Sequence, residues 1–100
     1  MPGARISLQF ISAEAGGRTL PTFITEPYRP HLRVADGEYL GVAFVNGSEE
    51  AVVSGVVAAA EVVFMYSPQV NYEPLKVGTQ FQVLEGQRIV GVGIVKALVK

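Results

Sequence analysis

The sequence predicts an all-β fold, a six-stranded antiparallel closed β-barrel formed by residues 1–100 as a single domain. Six or seven short segments rich in valine and isoleucine recur at short spacing, separated by the Gly, Pro and Asn signals that are typical of turns. No segment requires a helix. Closure of the sheet would also hide strand edges that such a valine-rich chain cannot leave exposed.

The first strand has the period of a half-buried strand. Ile6, Leu8 and Phe10 alternate with Ser7 and Gln9, so apolar side chains lie on one face and polar side chains on the other. The predicted strands occupy, in chain order, residues 5–13, 20–25, 39–45, 51–53, 57–66, 80–84 and 88–98, with residues 31–34 extended.

Glycine and proline separate the early elements. Gly16 and Gly17 end the first strand, because glycine adopts backbone angles that other residues resist. Pro21 opens the second strand, where a missing N–H is tolerated. Two further prolines stiffen residues 26–30. The next two turns carry the dipeptides Asp36-Gly37 and Asn46-Gly47.

Residues 49–66 support two interpretations. Glu49-Glu50 followed by valine and alanine is compatible with a helix over residues 49–60. The density of valine and the Ser54-Gly55 pair favour strands, because β-branched residues lose rotamers in a helix and glycine destabilises it. We therefore favour a short strand, a turn at Ser54-Gly55 and a long strand over residues 57–66. Residues 67–78 are predicted to be a loop.

Composition argues against several functions. The chain has no cysteine and one histidine, so no disulfide and no metal site are expected. Eight basic residues against nine acidic ones give a net charge of −1, without the broad basic surface typical of DNA-binding proteins. No cofactor or nucleotide is expected, because the sequence has no Gly-x-x-x-x-Gly-Lys-Ser/Thr loop.

Neither a signal peptide nor a membrane span is expected. The start, Met-Pro-Gly-Ala-Arg, has no charged and then apolar leader. The longest apolar stretch, residues 52–66, contains Ser54, Gly55 and Glu61 and is shorter than the ~20 residues of a membrane-spanning helix. The cysteine-free composition suits the cytoplasm, which is the predicted location.

Four blocks of the chain resemble, in order, the C-terminal β-barrel domain of elongation factor Tu. They are Gly16-Gly17-Arg18 with Pro21 and Phe23, Tyr28-Arg29-Pro30 with Arg33, the Gly41-Val42 strand leading to Ser54-Gly55, and the closing hairpin at residues 81–95. The blocks cover about residues 5–98. The resemblance implies a six-stranded barrel that, in the family, packs against a GTPase domain and helps to hold the T stem of aminoacyl-tRNA.

The resemblance implies that the closing turn contacts RNA or a partner. The contacting positions are Glu85 and Gly86, with Gln87 and Arg88 completing the turn. A glutamate can accept hydrogen bonds from ribose hydroxyls, which distinguish RNA from DNA. Gln87 stands where the family has a second glycine, and its side chain would hinder close approach of a ligand. The alternative is an ordinary hairpin turn.

The other candidate binding residues come from the first two blocks and are Gly17, Arg18, Tyr28, Arg29 and Arg33. A glycine-rich turn can present N–H groups to an anion, although a plain turn is favoured. Arginines 18, 29, 33 and 88 would form a basic patch if they shared one rim of the barrel. Local pairing of these arginines with nearby carboxylates is favoured instead.

The sequence predicts a stand-alone, non-catalytic binding module. His31 is the only histidine, so a packing or surface role is expected for it rather than that of a catalytic base. A barrel without its neighbouring domains must cover its apolar surface, which predicts a homodimer or another protein partner. The tyrosines and Met65 either anchor such an interface or fill the barrel. The alternatives are an accessory of translation that binds tRNA or another RNA stem and, least favoured, a small enzyme.

Overall fold

The computed structural model describes residues 2–17, 28–47 and 52–100. In these ranges the chain forms β1 Gly3–Phe10, a 3-10 turn Ala13–Ala15, β2 His31–Arg33, β3 Leu40–Asn46, β4 Val57–Phe64, β5 Gln80–Glu85 and β6 Arg88–Val99. The predicted all-β class is confirmed. None of the described residues forms a helix with the length and hydrophobicity that a membrane span requires.

The six described strands close into a barrel in the order β1-β4-β3-β2-β5-β6. Every neighbouring pair is antiparallel. The first and last strands pair along the whole of β1, from Gly3 opposite Val99 to Phe10 opposite Gly91. The six-stranded antiparallel closed barrel predicted from the sequence is therefore confirmed, and within the described strands each sheet edge is paired.

The alternation in β1 places its apolar side chains in the core, as predicted. Ile6, Leu8 and Phe10 are buried, whereas Gln9 is exposed on the outer wall. Burial of each such side chain contributes about 1.5–3 kcal/mol. They meet the buried side chains of the other five strands in one cluster, which includes Leu32, Val42, Phe44, Val62, Val83 and Val95.

Two strands end earlier than predicted, because local hydrogen bonds turn the chain. β1 ends at Phe10, since the Ser12 carbonyl accepts from the N–H groups of Ala15 (3.0 Å) and Gly17 (2.9 Å). β4 ends at Phe64, whose carbonyl accepts from the Ser67 N–H at 3.3 Å. A turn forms beside the predicted Asp36-Gly37 pair, with Ala35 and Asp36 as its turn residues, and the loop over residues 67–78 follows the prediction.

The strand interpretation of residues 49–66 is confirmed where the structure describes it. Val52 makes an isolated β-bridge, Ser54 and Gly55 form a turn, and β4 begins at Val57. Gly55 has a φ of +84°, a left-handed conformation that favours glycine. Residues 48–51, and the predicted strand over residues 20–25, lie outside the described residues.

The barrel has two ends, named here the rim end and the loop end. The rim end carries residues 11–17, 28–30 and 53–56 and the β5–β6 turn at residues 86–87. The loop end carries the β2–β3 connection at residues 34–39 and the β4–β5 connection at residues 65–79. Most of the predicted binding residues lie at the rim end.

Candidate functional site

Arg88 joins the closing turn to the loop that follows β1. Its Nε donates to the carbonyl of Gly16 at 2.9 Å, and its Nη2 donates to the carbonyl of Gly17. Gly17 donates its own N–H to Ser12, and a Cβ at this glycine would collide with the carbonyl oxygen of Ile11. The two glycines thus present carbonyl oxygens to Arg88. The anion-binding turn considered from the sequence includes residues 18–19, which lie outside the described residues, so it stays a prediction.

The closing turn has two central residues, Gly86 and Gln87, because Glu85 and Arg88 form the last pair of the β5–β6 ladder. Gly86 has a φ of +64°, whereas the φ of Gln87 is not positive. This is the φ pattern of a type II′ hairpin turn, which needs a positive φ only at the first central residue. The turn therefore accommodates the side chain of Gln87.

Tyr28 and Glu85 are brought together at the rim end. The Tyr28 hydroxyl donates to Oε2 of Glu85 at 2.8 Å. The half-buried Tyr28 ring packs against Phe44, at 5.1 Å between ring centroids, and against Phe10, at 6.2 Å. Because the core fixes the tyrosine ring, the barrel itself orients the Glu85 carboxylate.

The predicted arginines do not all share one rim. Arg29 is exposed at the rim end, but Arg33 lies toward the loop end, where its Nε donates to the Gly37 carbonyl at 2.8 Å. The Arg33 guanidinium also lies 5.3 Å from the ring centroid of Tyr39, a cation–π geometry. The prediction of a basic patch that includes Arg33 is therefore wrong. The expected pairing of Arg33 with a carboxylate is also wrong, because its Nε donates to a backbone carbonyl. Arg18 lies outside the described residues.

His31 packs against an aromatic ring. Its ring centroid lies 6.0 Å from that of Tyr39, with the planes tilted by 56°. This is one of the roles expected for the histidine from the sequence. Among the residues that the structure describes, no three His, Cys, Asp or Glu side chains converge as a metal site would require.

A shallow groove crosses the outer wall of the barrel. The strand register places Val57, Gln9, Val92 and Gln82 in one row across β4, β1, β6 and β5. The row beside it contains Ser7, Ile94 and Gln80. With Val34 and Ala35 at one end, these residues line about 680 Å³ of open space. They define the surface that we name the wall groove.

The described residues that line the wall groove include no charged side chain. Its polar groups are three glutamine amides and the Ser7 hydroxyl, which both donate and accept hydrogen bonds. Gln9 Nε2 donates to the Gly55 carbonyl at 3.0 Å, whereas no described residue is hydrogen-bonded to the side chain of Gln80 or Gln82. Uncharged amides therefore face the open part of the groove.

Charged side chains lie at the borders of the wall groove. On one side, Arg5 and Glu61 pair across β1 and β4 with Nε and Oε1 3.9 Å apart. On another side, Arg33 of β2 stands opposite Gln82 of β5. Inside the borders, Val57 and Val92 are 66% and 46% exposed. The described part of the groove is thus an uncharged, partly apolar area with charged side chains at two of its borders.

Sequence reasoning missed the wall groove. A signal was present, because Ser7, Gln9, Gln80 and Gln82 place uncharged polar side chains at alternate positions of two strands. Alternation alone does not reveal that β1 lies between β4 and β6. Because β1 and β5 are both neighbours of β6, Ser7 and Gln9 lie on one surface with Gln80 and Gln82.

No protein-family model matches the sequence. Function is therefore inferred from the geometry of the rim end and of the wall groove. The described lining residues of the groove offer apolar contact area and amide groups. Such a surface is suited to binding.

Proposed function

We propose that this chain is a non-catalytic binding module for a protein partner, similar to the C-terminal barrel of elongation factor Tu as a stand-alone domain. The wall groove is the proposed docking surface, and it is the observation that carries the proposal. Cores of protein–protein interfaces are depleted of charge, and the groove is lined by uncharged residues.

The valines of the groove supply the driving force in this proposal. Val57 and Val92 remain 66% and 46% exposed in the isolated chain. Each Å² of apolar surface that a partner removes from water contributes about 25 cal/mol. The barrel strands beneath hold both valines in fixed positions, so little side-chain order has to be gained on binding.

The test is capture from the source cells with immobilised wild-type chain, followed by mass spectrometry of bound protein and sequencing of bound RNA. The test variant is Val92→Glu, which places a charge in the groove. Leu98→Glu is the matched control, because Leu98 lies on the same strand and is 54% exposed but is not part of the groove. We expect a protein that binds the wild type and Leu98→Glu but not Val92→Glu. Equal capture by all three chains would contradict the proposal.

The rim end supports a second candidate, an accessory of translation that binds an RNA stem. Glu85, Gly86, Gln87 and Arg88 share this end with Gly17, Tyr28 and Arg29. This candidate ranks second because Arg88 already donates to two carbonyls and Glu85 already accepts from Tyr28. This candidate predicts that the wild-type chain captures RNA and that salt releases the RNA. It also predicts that Arg29→Ala captures less RNA than the wild type.

A further inference from the structure

The Asn46-Gly47 pair at the end of β3 combines a side-chain amide with a glycine that follows it directly. Asparagine is one of the heat-labile residues of proteins, and glycine has no Cβ to hinder its own backbone nitrogen. We propose that Asn46 is a site of spontaneous covalent modification, at which the side-chain amide is lost and a carboxylate is formed. The reaction is independent of the binding function.

The reaction needs only the chain and water. The backbone nitrogen of Gly47 attacks Cγ of Asn46 and forms a new N–Cγ bond. The Cγ–Nδ2 bond breaks, and the side-chain nitrogen leaves as ammonia with the proton of the Gly47 N–H, so the chain now holds a cyclic succinimide. Water adds to one of the ring carbonyl carbons and opens the ring, which leaves aspartate or isoaspartate at position 46. No electrons are transferred, so no oxidant or reductant takes part.

Both reacting groups are accessible in the described structure. Asn46 and Gly47 are exposed, and Gly47 lies just beyond the last residue of β3. No described residue is hydrogen-bonded to the Asn46 side chain, and none accepts from the Gly47 N–H. Water therefore reaches the amide, and the attacking nitrogen gives up no hydrogen bond to a described residue.

The end of β3 gives the backbone freedom to bring these groups together. The register shifts between Phe44 and Asn46, so Val45 has no opposite residue on β4. Such a bulge interrupts the ladder, and Asn46 forms the last pair of this ladder, opposite Glu61. A residue at the end of an interrupted ladder opens at a lower free energy than one in the middle of a strand.

Asn71 is the other asparagine of the chain, and it is held differently. Its Oδ1 accepts from the Glu73 N–H at 2.9 Å. The residue that follows it is Tyr72, which is buried, so the nitrogen that would attack Asn71 belongs to a bulky, packed residue. Asn71 is therefore an internal control for Asn46.

Asp36-Gly37 is chemically related, because an aspartate followed by glycine forms the same ring with loss of water. Here the Gly37 N–H donates to the Val34 carbonyl at 2.9 Å, so the attacking nitrogen is engaged. A reaction at Asp36 would also add no charge, which distinguishes it from a reaction at Asn46.

The new carboxylate changes the charge of one row on the outside of the barrel. Asn46 stands opposite Glu61 on β4, and Glu61 stands opposite Arg5 on β1, so the three side chains share one face. Arg5 and Glu61 pair with Nε and Oε1 3.9 Å apart. The reaction places a second carboxylate beside Glu61, and like charges directly opposite each other destabilise a strand pair.

The test follows the purified full-length chain at mildly alkaline pH and physiological temperature over several weeks, beside Asn46→Gln, Asn46→Asp and Gly47→Ala. Isoelectric focusing measures the charge gained. Cleavage after glutamate separates Asn46 from Asn71, because Glu49 and Glu61 lie between them, and mass spectrometry then locates the lost amide and distinguishes isoaspartate from aspartate. A synthetic peptide of residues 39–49 gives the rate without the fold, and circular dichroism checks that each chain is folded.

We expect an acidic form of the wild type that accumulates with time, focuses with Asn46→Asp and has lost the amide of Asn46 but not that of Asn71. Its rate should lie within several-fold of the rate in the peptide. Gly47→Ala should react several-fold more slowly, because the methyl group hinders the nitrogen. Asn46→Gln should stay a single species, since its longer side chain forms the corresponding ring far more slowly. A wild type that stays intact while the peptide reacts would overturn the inference, as would an acidic form that accumulates equally in Asn46→Gln.

Discussion

The Tyr72 hydroxyl is buried between two backbone groups at the loop end. It donates to the Gly41 carbonyl at 2.6 Å and accepts from the Tyr66 N–H at 3.1 Å, while its ring stacks on Phe64 at 4.5 Å. Tyr72→Phe keeps the stacked ring but leaves the Tyr66 N–H without this acceptor. We expect a loss of about 2 kcal/mol in the free energy of unfolding, measured by urea denaturation.

Tyr66→Phe is the matched control for Tyr72→Phe. The Tyr66 ring is half-exposed and covers Gly41, where a Cβ would meet it at 2.5 Å. Its hydroxyl is hydrogen-bonded to none of the described residues, so its removal should change the free energy of unfolding by less than about 0.5 kcal/mol. Equal effects of the two substitutions would show that the Tyr72 hydroxyl bonds do not stabilise the loop end.

The same hydroxyl predicts a dependence of stability on pH. Burial raises the pKa of Tyr72 above its ordinary value of 10.0, and the hydrogen bond from the Tyr66 N–H opposes this rise without cancelling it. Above pH 10 the unfolded chain therefore loses this proton before the folded chain does, so the contribution to stability is complete below pH 10 and is lost as the pH rises through the folded pKa. Denaturation at rising pH should narrow the gap between wild type and Tyr72→Phe. A constant gap would contradict the assignment.

At the scale of the element, β6 depends on a glycine that faces an aromatic ring. Gly93 stands opposite Phe81 in the register, and a Cβ at Gly93 would lie 2.6 Å from the Phe81 ring and 2.5 Å from the Ser7 carbonyl oxygen. We expect Gly93→Ala to lower the free energy of unfolding by about 2–3 kcal/mol, because the buried ring and the backbone cannot both move away.

Gly91, two residues earlier on β6, is the control for Gly93→Ala. Its nearest neighbours would be the Gln9 carbonyl oxygen at 3.1 Å and Phe10 Cδ1 at 3.3 Å. Gly91→Ala should therefore change the free energy of unfolding by less than about 1 kcal/mol, since a small shift is offset by lower entropy of the unfolded chain. Chemical denaturation of both variants measures their free energies of unfolding. A larger loss for Gly91→Ala than for Gly93→Ala would refute the packing argument.

The elements were more predictable from the sequence than the surfaces they create. Periodicity placed β1, β5 and β6, because their inward positions are apolar and alternate or nearly so. The early end of β1 was missed, since it depends on the Ser12 carbonyl accepting two local N–H groups. Neither the Arg88 contact with Gly16 nor the groove could be predicted, because both depend on which strands become neighbours after closure.

At the scale of the whole molecule, exposed apolar side chains concentrate on one turn of the rim end. Val53 and Val56 are each 50% exposed, and Val57 follows them. The turn is firmly attached, because the Gly55 N–H donates to the Phe10 carbonyl at 3.0 Å and the Ser54 hydroxyl donates to the Ile11 carbonyl at 3.3 Å. A rigid apolar projection of this kind favours association with another molecule.

The homodimer expected from the composition remains a prediction, and this turn is where we expect it to form. Light scattering across a concentration series should give a mass that rises from one chain toward two. Val56→Lys should hold the mass at one chain, because two copies of the turn would bring like charges together. Val77→Lys is the control, since Val77 is 61% exposed but belongs to the loop end, and it should associate like the wild type. A wild-type mass of one chain at every concentration would exclude self-association, whereas a dimer that survives Val56→Lys and dissociates in Val77→Lys would move the interface to the loop end.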